Sequence, residues 1–491
     1  MITQKELIPL DPNWPEDARR GYLQLSEVIK TLGTQLTAQA AQLKAQAAQL
    51  TAQAAQITAQ HLEIEELKQK LNKTSRNSHK PPSSDPPSRK PKAPPKAGGK
   101  RKGGQKSHPG ARRELLEPTE TIQRGPTSGC PCGGEWVKEG EQELFQVIDL
   151  PPKLTPDVTN FLISTHRCSG CKATHKPGYQ PTLRYSPYGP RLHAFVCELS
   201  TQYRMSMRQI QALLAQSFSM EVSTGAISGM LKRSVEVCQA SYDELLSWFK
   251  RDREPKHVDE TSWKVAGKLG ALIGAHNKRA ALFGVSQRRR REDVEALIGE
   301  DHGAKIITDR APVYGRWAGR QLCWSHLLRD FVSLSERPSS AAQGRRLVES
   351  ARALFQLNRA FLARELSEEA YVRQATALRG RVFHALTKLS NLKQLPKSSA
   401  PASFVRSLLR SEQQMWSFLQ DPSLPIHNNA QERELRSAVI KRRLSFGSDT
   451  QEGGQGFAVL LSLMRTLKLR ALLWSEWFVS LCAGRGASLV P

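Results

Sequence analysis

Residues 256–309 read KHVDETSWKVAGKLGALIGAHNKRAALFGVSQRRRREDVEALIGEDHGAKIITD. Three runs of apolar and β-branched residues in this segment predict three strands, at 256–265, 269–275 and 280–285. Gly267 and Asn277 lie in the gaps between the runs and indicate turns. A short helix through 294–298 and a buried strand at 304–308 are predicted to follow. The segment is therefore predicted to fold as three strands, a helix and a fourth strand.

Two acids occupy matching places in this pattern. Asp259 lies on the first predicted strand, and Asp309 directly follows the fourth. This order of elements is that of a ribonuclease H-like α/β core, and a third acid, Glu432, would come from a later helix. Acids from separate elements of such a core can converge on hard divalent cations. The sequence therefore predicts a Mg²⁺ site that cuts phosphodiester bonds.

The third acid is far along the chain, since 432 − 309 = 123 residues separate it from Asp309. A loop of that length is not expected inside a compact domain. We therefore predict an inserted, largely helical subdomain at about 333–421. The catalytic domain is then predicted over 251–480, with a C-terminal tail at 481–491.

Each acid also has a purely structural interpretation. Asp259 could be an exposed acid at a strand end, and Asp309 could be a turn or helix-capping residue. Asn429, with Glu432 three residues later, matches a capping box, in which the carboxylate accepts backbone N–H bonds. The strand order favours catalysis for the two aspartates, whereas Glu432 stays open between metal ligand and cap.

Composition narrows the choice of partner. The chain has 491 residues, a formal charge of +26 and a pI near 9.9, and its length predicts about three domains. Such an excess of Lys and Arg favours a polyanion, because phosphate neutralisation dominates nucleic-acid affinity. An anionic membrane is the rival, but the apolar run 457–464 is too short to span one and is interrupted by Ser462. With no signal-peptide core in 1–10, we expect a cytoplasmic protein.

A heptad pattern runs through residues 1–75. Apolar residues recur every seven positions, at Ile29, Leu36, Leu43, Leu50, Ile57, Ile64 and Leu71. If these are d positions, the a positions are Ala40, Ala47, Ala54 and His61, which are small or polar. The pattern predicts a coiled coil of moderate strength that forms a homodimer or a higher homo-oligomer. The alternative is a long helix packed on its own domain.

The next segment, 76–115, is strongly basic. Between Arg76 and Arg113 there are twelve Lys or Arg residues, among them Lys100, Arg101 and Lys102, and one acid, Asp85, amid many Pro, Ser and Gly residues. Such a composition cannot bury a core and predicts disorder. The segment could follow DNA phosphates as a basic arm, or it could be a soluble spacer.

Two cysteine pairs follow within 116–185. Cys130 and Cys132 form a CxC pair, and Cys168 and Cys171 form a CxxC pair. Close thiolate pairs in a chain without secretion signals predict a four-cysteine Zn²⁺ site rather than disulfides. The first pair is one residue shorter than the usual spacing, so zinc is a tentative assignment, and His166 could replace one ligand.

Residues 186–250 predict a helical, helix-turn-helix-like region. Ser206 and Ser223 are each placed to cap a short helix with an apolar face. Arg208, Lys232 and Arg233 would then contact DNA phosphates. The alternative is an ordinary pair of packed helices without a role in binding.

Cys323 and His326 have the spacing of half a metal site. No second pair lies nearby in the sequence, so we predict that both residues support the structure around the acids rather than bind zinc.

Taken in order, these motifs resemble the insertion sequence 66 family of transposases, bacterial enzymes with an acidic DDE triad on a ribonuclease H-like fold. The matching motifs are HVDET at 257–261, TD at 308–309 followed by Tyr314, CWSH at 323–326, NNAQERELR at 428–436, and GSD at 447–449 followed by Gly453 and Gly454. The stretch NSHKPPSSD at 77–85 and the cysteine pairs extend the resemblance upstream. The CxC pair departs from the family pattern, as does His427, where the family often has Asp.

The resemblance implies a reaction and its partners. Asp259, Asp309 and Glu432 would hold two Mg²⁺ ions, for which Mn²⁺ can substitute, and would direct DNA nicking followed by strand transfer. The zinc module, the helical region and the basic linker would bind the terminal inverted repeats of the element. The coiled coil would bring two protomers together on double-stranded DNA, with helper proteins as further partners, at the bacterial nucleoid.

Two other functions remain open at this point. A non-enzymatic DNA-binding regulator could be built from the coiled coil, the zinc module and the helical region. A metal-dependent, structure-specific nuclease could use the same acids. The acids in a strand context argue against the regulator, and the distant Glu432 and the dimeric arm argue against a simple nuclease.

Overall fold

The structure is a computed structural model, and it describes residues 10–74, 77–78, 115–124, 126–137, 140, 144–151, 154–178, 183, 186–300, 303–315, 317–392, 400–486 and 488–490. Nearly all of the predicted basic linker, including Lys100, Arg101 and Lys102, lies outside the described residues.

Within these ranges the chain is mainly helical. The α-helices are α1 (Glu16–Leu71), α2 (Pro190–Thr201), α3 (Met207–Phe218), α4 (Thr224–Arg251), α5 (Arg291–Ile298), α6 (Trp324–Ser335), α7 (Ala341–Leu362), α8 (Glu368–Ser390), α9 (Ala400–Arg410), α10 (Glu412–Met415), α11 (Asn429–Ser445), α12 (Gln451–Leu469) and α13 (Trp474–Cys482). Single turns of 3₁₀-helix occur at Pro312–Tyr314 and Ser417–Leu419.

The described strands form a small hairpin and a larger mixed sheet. They are β1 (His166–Arg167), β2 (Thr174–His175), β3 (Lys256–Val265), β4 (Lys268–His276), β5 (Ala281–Ser286), β6 (Ile306–Thr308) and β7 (Arg320–Leu322). The larger sheet has the order β5-β4-β3-β6-β7. Its β3, β4 and β5 pair antiparallel, whereas β6 is parallel to both β3 and β7. The predicted strands at 256–265, 269–275, 280–285 and 304–308 are thus observed with small shifts at their ends.

Apolar residues cover both faces of this sheet. On β4, Leu272 belongs to a core cluster with Leu435 of α11, whereas the next residue, Ile273, belongs to the opposite cluster with helices α2, α4, α5, α12 and α13. Alternation along a strand sends successive side chains to opposite faces, so the sheet lies between two helical layers. The second cluster includes residues on both sides of the predicted domain boundary at 250, among them Phe249 and Val258.

The helices between the sheet and α11 have a core of their own. Residues of α6 to α10 bury a cluster of large side chains that includes Trp324, Phe331, Tyr371 and Trp416. These helices fill the interval between β7 and α11, where the sequence predicted a helical insertion. Residues of the predicted tail are not all exposed, since Leu489 packs into the main cluster on the sheet.

The helical region before the sheet begins as the sequence predicts. Ser206 and Gln209 form a capping box at the start of α3, and the Ser223 hydroxyl accepts a hydrogen bond from the amide of Ala226 at the start of α4. The second helix is not short, however, because α4 has 28 residues and ends only at Arg251. Buried residues recur along its whole length, from Ile227 to Phe249, so its packing continues past the predicted end.

The N-terminal helix α1 carries the heptads on an exposed surface. The apolar side chains at 36, 43, 50, 57, 64 and 71 are all exposed, and Leu36 keeps 70% of its surface in solvent. The coiled coil therefore remains a prediction about two or more copies of the chain.

Candidate active site

The sheet register brings Asp259 and Asp309 together. Strands β3 and β6 run parallel, with His257 opposite Ile307. Each aspartate lies two residues beyond that pair (259 − 257 = 2 and 309 − 307 = 2), so the two occupy matching positions on neighbouring strands. Neighbouring strands are about 5 Å apart, and side chains at matching positions point to the same face. The two carboxylates therefore share one face of the sheet, beside the C-terminal end of β6.

The charge on Asp259 is destabilised by its surroundings. Burial, together with the negative charges of Asp309, Glu432 and Glu260, raises the pKa of this carboxyl to about 8. Only a backbone hydrogen bond, in which the amide of Glu260 donates to Oδ1 at 2.8 Å, acts in the opposite direction. All three predicted acids thus contribute to one region of negative potential. Asp259 is not the exposed strand-end acid of the structural alternative.

The end of β6 is fixed around Asp309. The buried Arg320 donates from Nε to the hydroxyl of Thr308 at 2.8 Å and from Nη2 to the carbonyl of Asp309. The Oδ1 atom of Asp309 accepts a hydrogen bond from the amide of Ala311 at 2.9 Å. One carboxylate oxygen of Asp309 therefore stabilises the turn after β6, as the structural alternative predicted. The charge of Asp309 also acts on Asp259.

Glu432 lies in the first turn of α11 and contacts α6. Its Oε1 atom accepts a hydrogen bond from Nη2 of Arg329 at 3.1 Å, and Nε2 of His326 lies 3.8 Å away. The capping box proposed for Glu432 is not formed. Helix α11 already includes Asn429, and its N-cap, Asn428, makes no side-chain capping bond.

The side chain of Asn428 instead joins α11 to β3. Its Oδ1 atom lies 2.9 Å from Nδ1 of His257, and its Nδ2 donates to the carbonyl of Val258 at 2.8 Å. The His257 ring stacks on His276 of β4 at 4.8 Å between centroids, and Nδ1 of His276 lies 2.5 Å from Oε1 of Gln431. These four polar side chains are buried and form the cluster that we call the helix clamp. Burial lowers the pKa of both histidines, to about 4 for His257, so both rings are neutral near pH 7.

The predicted supporting residues lie next to this clamp. Cys323 is buried, its Sγ accepts a hydrogen bond from the amide of Asn428 at 3.1 Å, and burial raises its thiol pKa to about 11. A protonated thiol is a poor metal ligand, so the contacts favour a structural role for Cys323. The Nε2 atom of His326 lies 3.8 Å from Oε1 of Glu432, so this residue also lies next to the acids.

Two buried oxygen atoms beside the acids have no hydrogen-bond partner within the described part of the chain. They are Oε2 of Glu260 and the hydroxyl of Tyr314. Burial raises the pKa of Tyr314 well above its usual value, and the charges of Glu260, Asp259 and Asp309 add to the effect. Mutually repelling carboxylates with unsatisfied oxygens nearby are suited to a divalent cation with its water ligands. Even so, no group of three or more His, Cys, Asp or Glu side chains among the described residues is close enough to hold a metal ion.

The sequence patterns indicated no role for Tyr314, Asn428, Gln431 or the two clamp histidines. All but His276 lie within the motifs, but polar residue type alone does not reveal which side chains meet across a fold. The available signal was the polar character of His257, Asn428 and Gln431, because each lies within four residues of an acid in a segment that must be buried.

The four predicted zinc ligands form two local pairs. The Sγ atoms of Cys130 and Cys132 are 3.1 Å apart, and this hydrogen bond is the main cause of the lowered pKa of Cys132. Hydrogen bonds from Cys171 lower the pKa of Cys168 at the second pair. Lowered thiol pKa values favour the thiolate that binds metal. The pairs are not joined into one metal site in the structure.

The predicted DNA-contacting residues lie on α3 and α4. Arg208 is exposed in the first turn of α3, and Lys232 is exposed on α4 with the half-buried Arg233 beside it. Within the described part of the chain, no helix combines the length and the apolar character needed to cross a bilayer.

The chain is similar to a family of unknown function and to two uncharacterized proteins. A model of a family of unknown function, DUF6444, matches residues 30–114. Two curated relatives from Sinorhizobium fredii, the uncharacterized proteins y4jO and y4qI, are each 26% identical to the chain, over 140 and 157 residues. The aligned parts cover 24% of this chain and 44% of y4jO, and 32% of this chain and 29% of y4qI. The chain thus spans less than half the length of either relative.

The stretch that contains the sheet, the three acids and the helix clamp is also the stretch that a family model matches. The model described as Transposase IS66 family covers residues 185–456, more than half of the 491 residues. The resemblance drawn from the motifs is confirmed, and the chain belongs to the IS66 family of transposases.

Proposed function

We propose that the chain is a DNA transposase that cuts DNA at the ends of its insertion sequence and joins the 3′ ends to target DNA. Its catalytic residues are Asp259, Asp309 and Glu432, on a ribonuclease H-like core. The observation that best supports this assignment is the register of β3 and β6, in which Asp259 and Asp309 have matching positions. The strand order β5-β4-β3-β6-β7 supports the proposed fold.

Two Mg²⁺ ions held by these acids, for which Mn²⁺ can substitute, would supply Lewis-acid stabilisation of the phosphate and a more acidic nucleophile. The chain itself positions the three carboxylates. The register of β3 and β6 sets the separation of the two aspartates, and Arg320 holds the backbone of Asp309. The helix clamp sets the position of α11, and Arg329 orients the carboxylate of Glu432.

DNA binding is proposed for surfaces outside the acid site. Arg208, Lys232 and Arg233 are displayed on α3 and α4, and the chain carries an excess charge of +26. The basic linker with Lys100, Arg101 and Lys102 and the zinc module would add further contacts. The expected place of action is the bacterial cytoplasm, on the nucleoid.

Self-association is proposed through α1. Six of its heptad side chains are exposed in the single chain, and pairing two helices would bury them. Removal of residues 1–75 should lower the number of protomers per particle, obtained by light scattering as the particle mass divided by the protomer mass, and weaken complexes that hold two DNA ends. The same number of protomers in the truncated and full-length proteins would exclude α1 as the contact.

The decisive experiment is a strand-transfer assay with the full-length protein. A supercoiled plasmid carrying the complete element is incubated with Mg²⁺ or Mn²⁺, and nicked, excised and joined products are separated on gels. The matched control is Asp259→Asn, which keeps the shape of the side chain. Cutting that persists in the control would exclude the assigned site. End binding without cutting in either metal would favour the non-enzymatic regulator.

A further inference from the structure

Helix α11 ends in an exposed aromatic residue with an unusual backbone. Phe446 is the C-cap of the helix, it has φ +58°, and 75% of its surface is exposed. A left-handed conformation is unfavourable for a residue with a side chain, and glycine usually occupies this position. Exposure of a large apolar ring is also unfavourable. Neither feature helps the chain to fold, which points to a role in contacting another molecule.

The segment that carries Phe446 is rigidly held against the β3–β4 hairpin. The amide of Ser448 donates to the carbonyl of Lys264 at 2.9 Å, and the carbonyl of Ser448 accepts from the amide of Ala266 at 3.0 Å. Gly447, with φ +125°, packs so closely on Lys264 that a Cβ atom would collide with its backbone. The backbone that follows Phe446 is therefore held in place by the hairpin, which lowers the entropy cost of a contact made by its ring.

Basic and apolar side chains are exposed next to Phe446 in the sequence and on the hairpin against which Gly447 packs. Lys264 pairs across the hairpin with Leu269, and both are exposed on the side on which Gly447 packs. We call the exposed group the hairpin-tip patch, and its members are Lys264, Leu269, Arg443, Leu444 and Phe446. The leucines keep 66% and 62% of their surface in solvent.

The composition of the patch fits nucleic acid. Aromatic rings that stack on bases, beside cations that contact phosphates, are the usual elements of a surface for unpaired or distorted strands. A protein partner is less consistent with Lys264, because lysine is depleted in protein–protein interfaces, although aromatic residues and arginine are common there. The patch also lies on the helix that carries Glu432. The 14 residues from 432 to 446 span about 21 Å, or about six nucleotides.

We propose that the hairpin-tip patch is a second DNA contact, in which Phe446 stacks on a base and Lys264 and Arg443 contact the flanking phosphates. The stacked base lies about six nucleotides from the reacting phosphate, and this distance rests on the proposed function. The binding itself does not depend on cleavage.

The test uses the full-length protein and duplexes that carry one element end. The fluorescent base 2-aminopurine is placed in turn at about ten positions from the 3′ terminus, in Ca²⁺ so that no cutting occurs. We expect one position, near the sixth, to change its fluorescence on binding. Phe446→Ala should abolish this change and Phe446→Trp should keep it. Phe383→Ala is the matched control, since Phe383 is an exposed phenylalanine on α8.

The phosphate contacts have a separate readout. Arg443→Gln should lower the slope of log affinity against log salt by about one unit relative to the parent. Arg373→Gln, at an exposed arginine of α8, should leave the slope unchanged. Equal slopes for the two variants would overturn the role of Arg443.

Failure of this proposal is distinguishable from failure of the catalytic one. Asp259→Asn should keep the fluorescence change, because it leaves the patch intact. Misfolding is checked with Phe446→Gly, which should raise the melting temperature by relieving the left-handed strain while abolishing the signal. A fluorescence change that survives in both Phe446→Ala and Phe446→Gly would overturn the proposal. Loss of self-association in Phe446→Ala, with no fluorescence change in the parent, would show a protein interface instead.

Discussion

The Nδ1 atom of His257 lies 2.9 Å from Oδ1 of Asn428, so a strand and a helix that are 171 residues apart in sequence are joined within a few residues of two acids. His257 precedes Asp259 by two residues, and Asn428 precedes Glu432 by four. This contact fixes the helix of the third acid relative to the strand of the first.

Replacing Asn428 with Ala should therefore weaken both folding and cutting. The change leaves Nδ1 of His257 and the buried carbonyl of Val258 without their partner, which costs about 1–3 kcal/mol for each buried group. Urea unfolding measures the loss of stability, and plasmid nicking measures the loss of rate. Asn391→Ala, at an exposed asparagine after α8, is the control. Unfolding curves that coincide for the two variants would contradict the role of the clamp.

Asp259→Asn and Asp309→Asn should each abolish cutting while leaving DNA binding intact. Loss of a direct metal ligand should exceed the roughly 10–100-fold effect of losing an outer hydrogen-bond partner. Without metal, Asp259→Asn should not destabilise the protein. Its pKa of about 8 shows that the charged form is disfavoured, and Asn lacks that charge. Nicking rates, gel-shift affinities and melting temperatures test the three statements, and substantial cutting by either variant would refute the assignment.

Glu432→Gln separates metal ligand from structural residue. Since no capping box is formed, α11 should persist in this variant, and its amide can still accept a hydrogen bond from Arg329. A neutral amide is a poor ligand for a hard dication, so cutting should be lost while circular dichroism stays unchanged. Arg329→Gln should reduce cutting less, because it removes only the orienting contact. Near-parental turnover by Glu432→Gln would move the third ligand, with Glu434 the next candidate, although Arg465 already pairs with that residue at 2.7 Å.

The local sequence pattern predicted the strands from β3 to β6, because β4 and β5 are rich in apolar residues and β6 is a short buried run. It did not predict β7, whose residues Arg320 and Gln321 are polar yet buried. Both side chains find internal partners, Arg320 at Thr308 and Gln321 at the carbonyl of Met415. These hydrogen bonds join residues that are distant in sequence, and the hydropathy pattern along the chain does not predict them.

In the candidate site, too, local pattern predicted the strand positions but not the contacts between distant segments. Asp259 and Asp309 could be identified because each lies at a strand, and strand position follows from local pattern. The contacts of Glu432 could not, since Arg329 approaches from α6 across 103 residues. The capping-box alternative failed because α11 starts one residue earlier than the motif suggested, and helix ends are the least certain part of a pattern.

Zinc binding by Cys130, Cys132, Cys168 and Cys171 is tested on the full-length protein. Apolar side chains of this region are unusually exposed, with Phe145 at 89% and Leu162 at 95%, so metal binding should bring them into a packed module. We expect one zinc ion per chain by metal analysis and faster proteolysis of 116–185 after chelation. A double change, Cys168→Ser with Cys171→Ser, should mimic chelation, whereas Cys197→Ser should leave the zinc content unchanged. Metal-free protein with the same proteolysis pattern would exclude the site.

Acid should destabilise the helical region through His193. This ring is fully buried, with Nε2 2.8 Å from the hydroxyl of Ser186 and Nδ1 3.0 Å from that of Ser234. The Ser234 hydroxyl donates to the carbonyl of Met230, so it accepts from Nδ1–H of the neutral ring. Burial, and then the charge of Arg233, lower the pKa of His193 to about 4.

The sign of the effect follows from proton linkage. An unfolded histidine has a pKa of about 6.5, so below that pH the unfolded chain binds a proton that the folded chain rejects. The contribution of His193 to stability is therefore complete above about pH 6.5 and is lost as the pH falls towards about 4. Other buried histidines, among them His257, add to the same slope in every variant. His193→Gln should flatten the fall in unfolding free energy between about pH 7 and pH 5, whereas His61→Gln, on the exposed surface of α1, should not. Parallel curves for parent and His193→Gln would show that this ring does not carry the acid sensitivity.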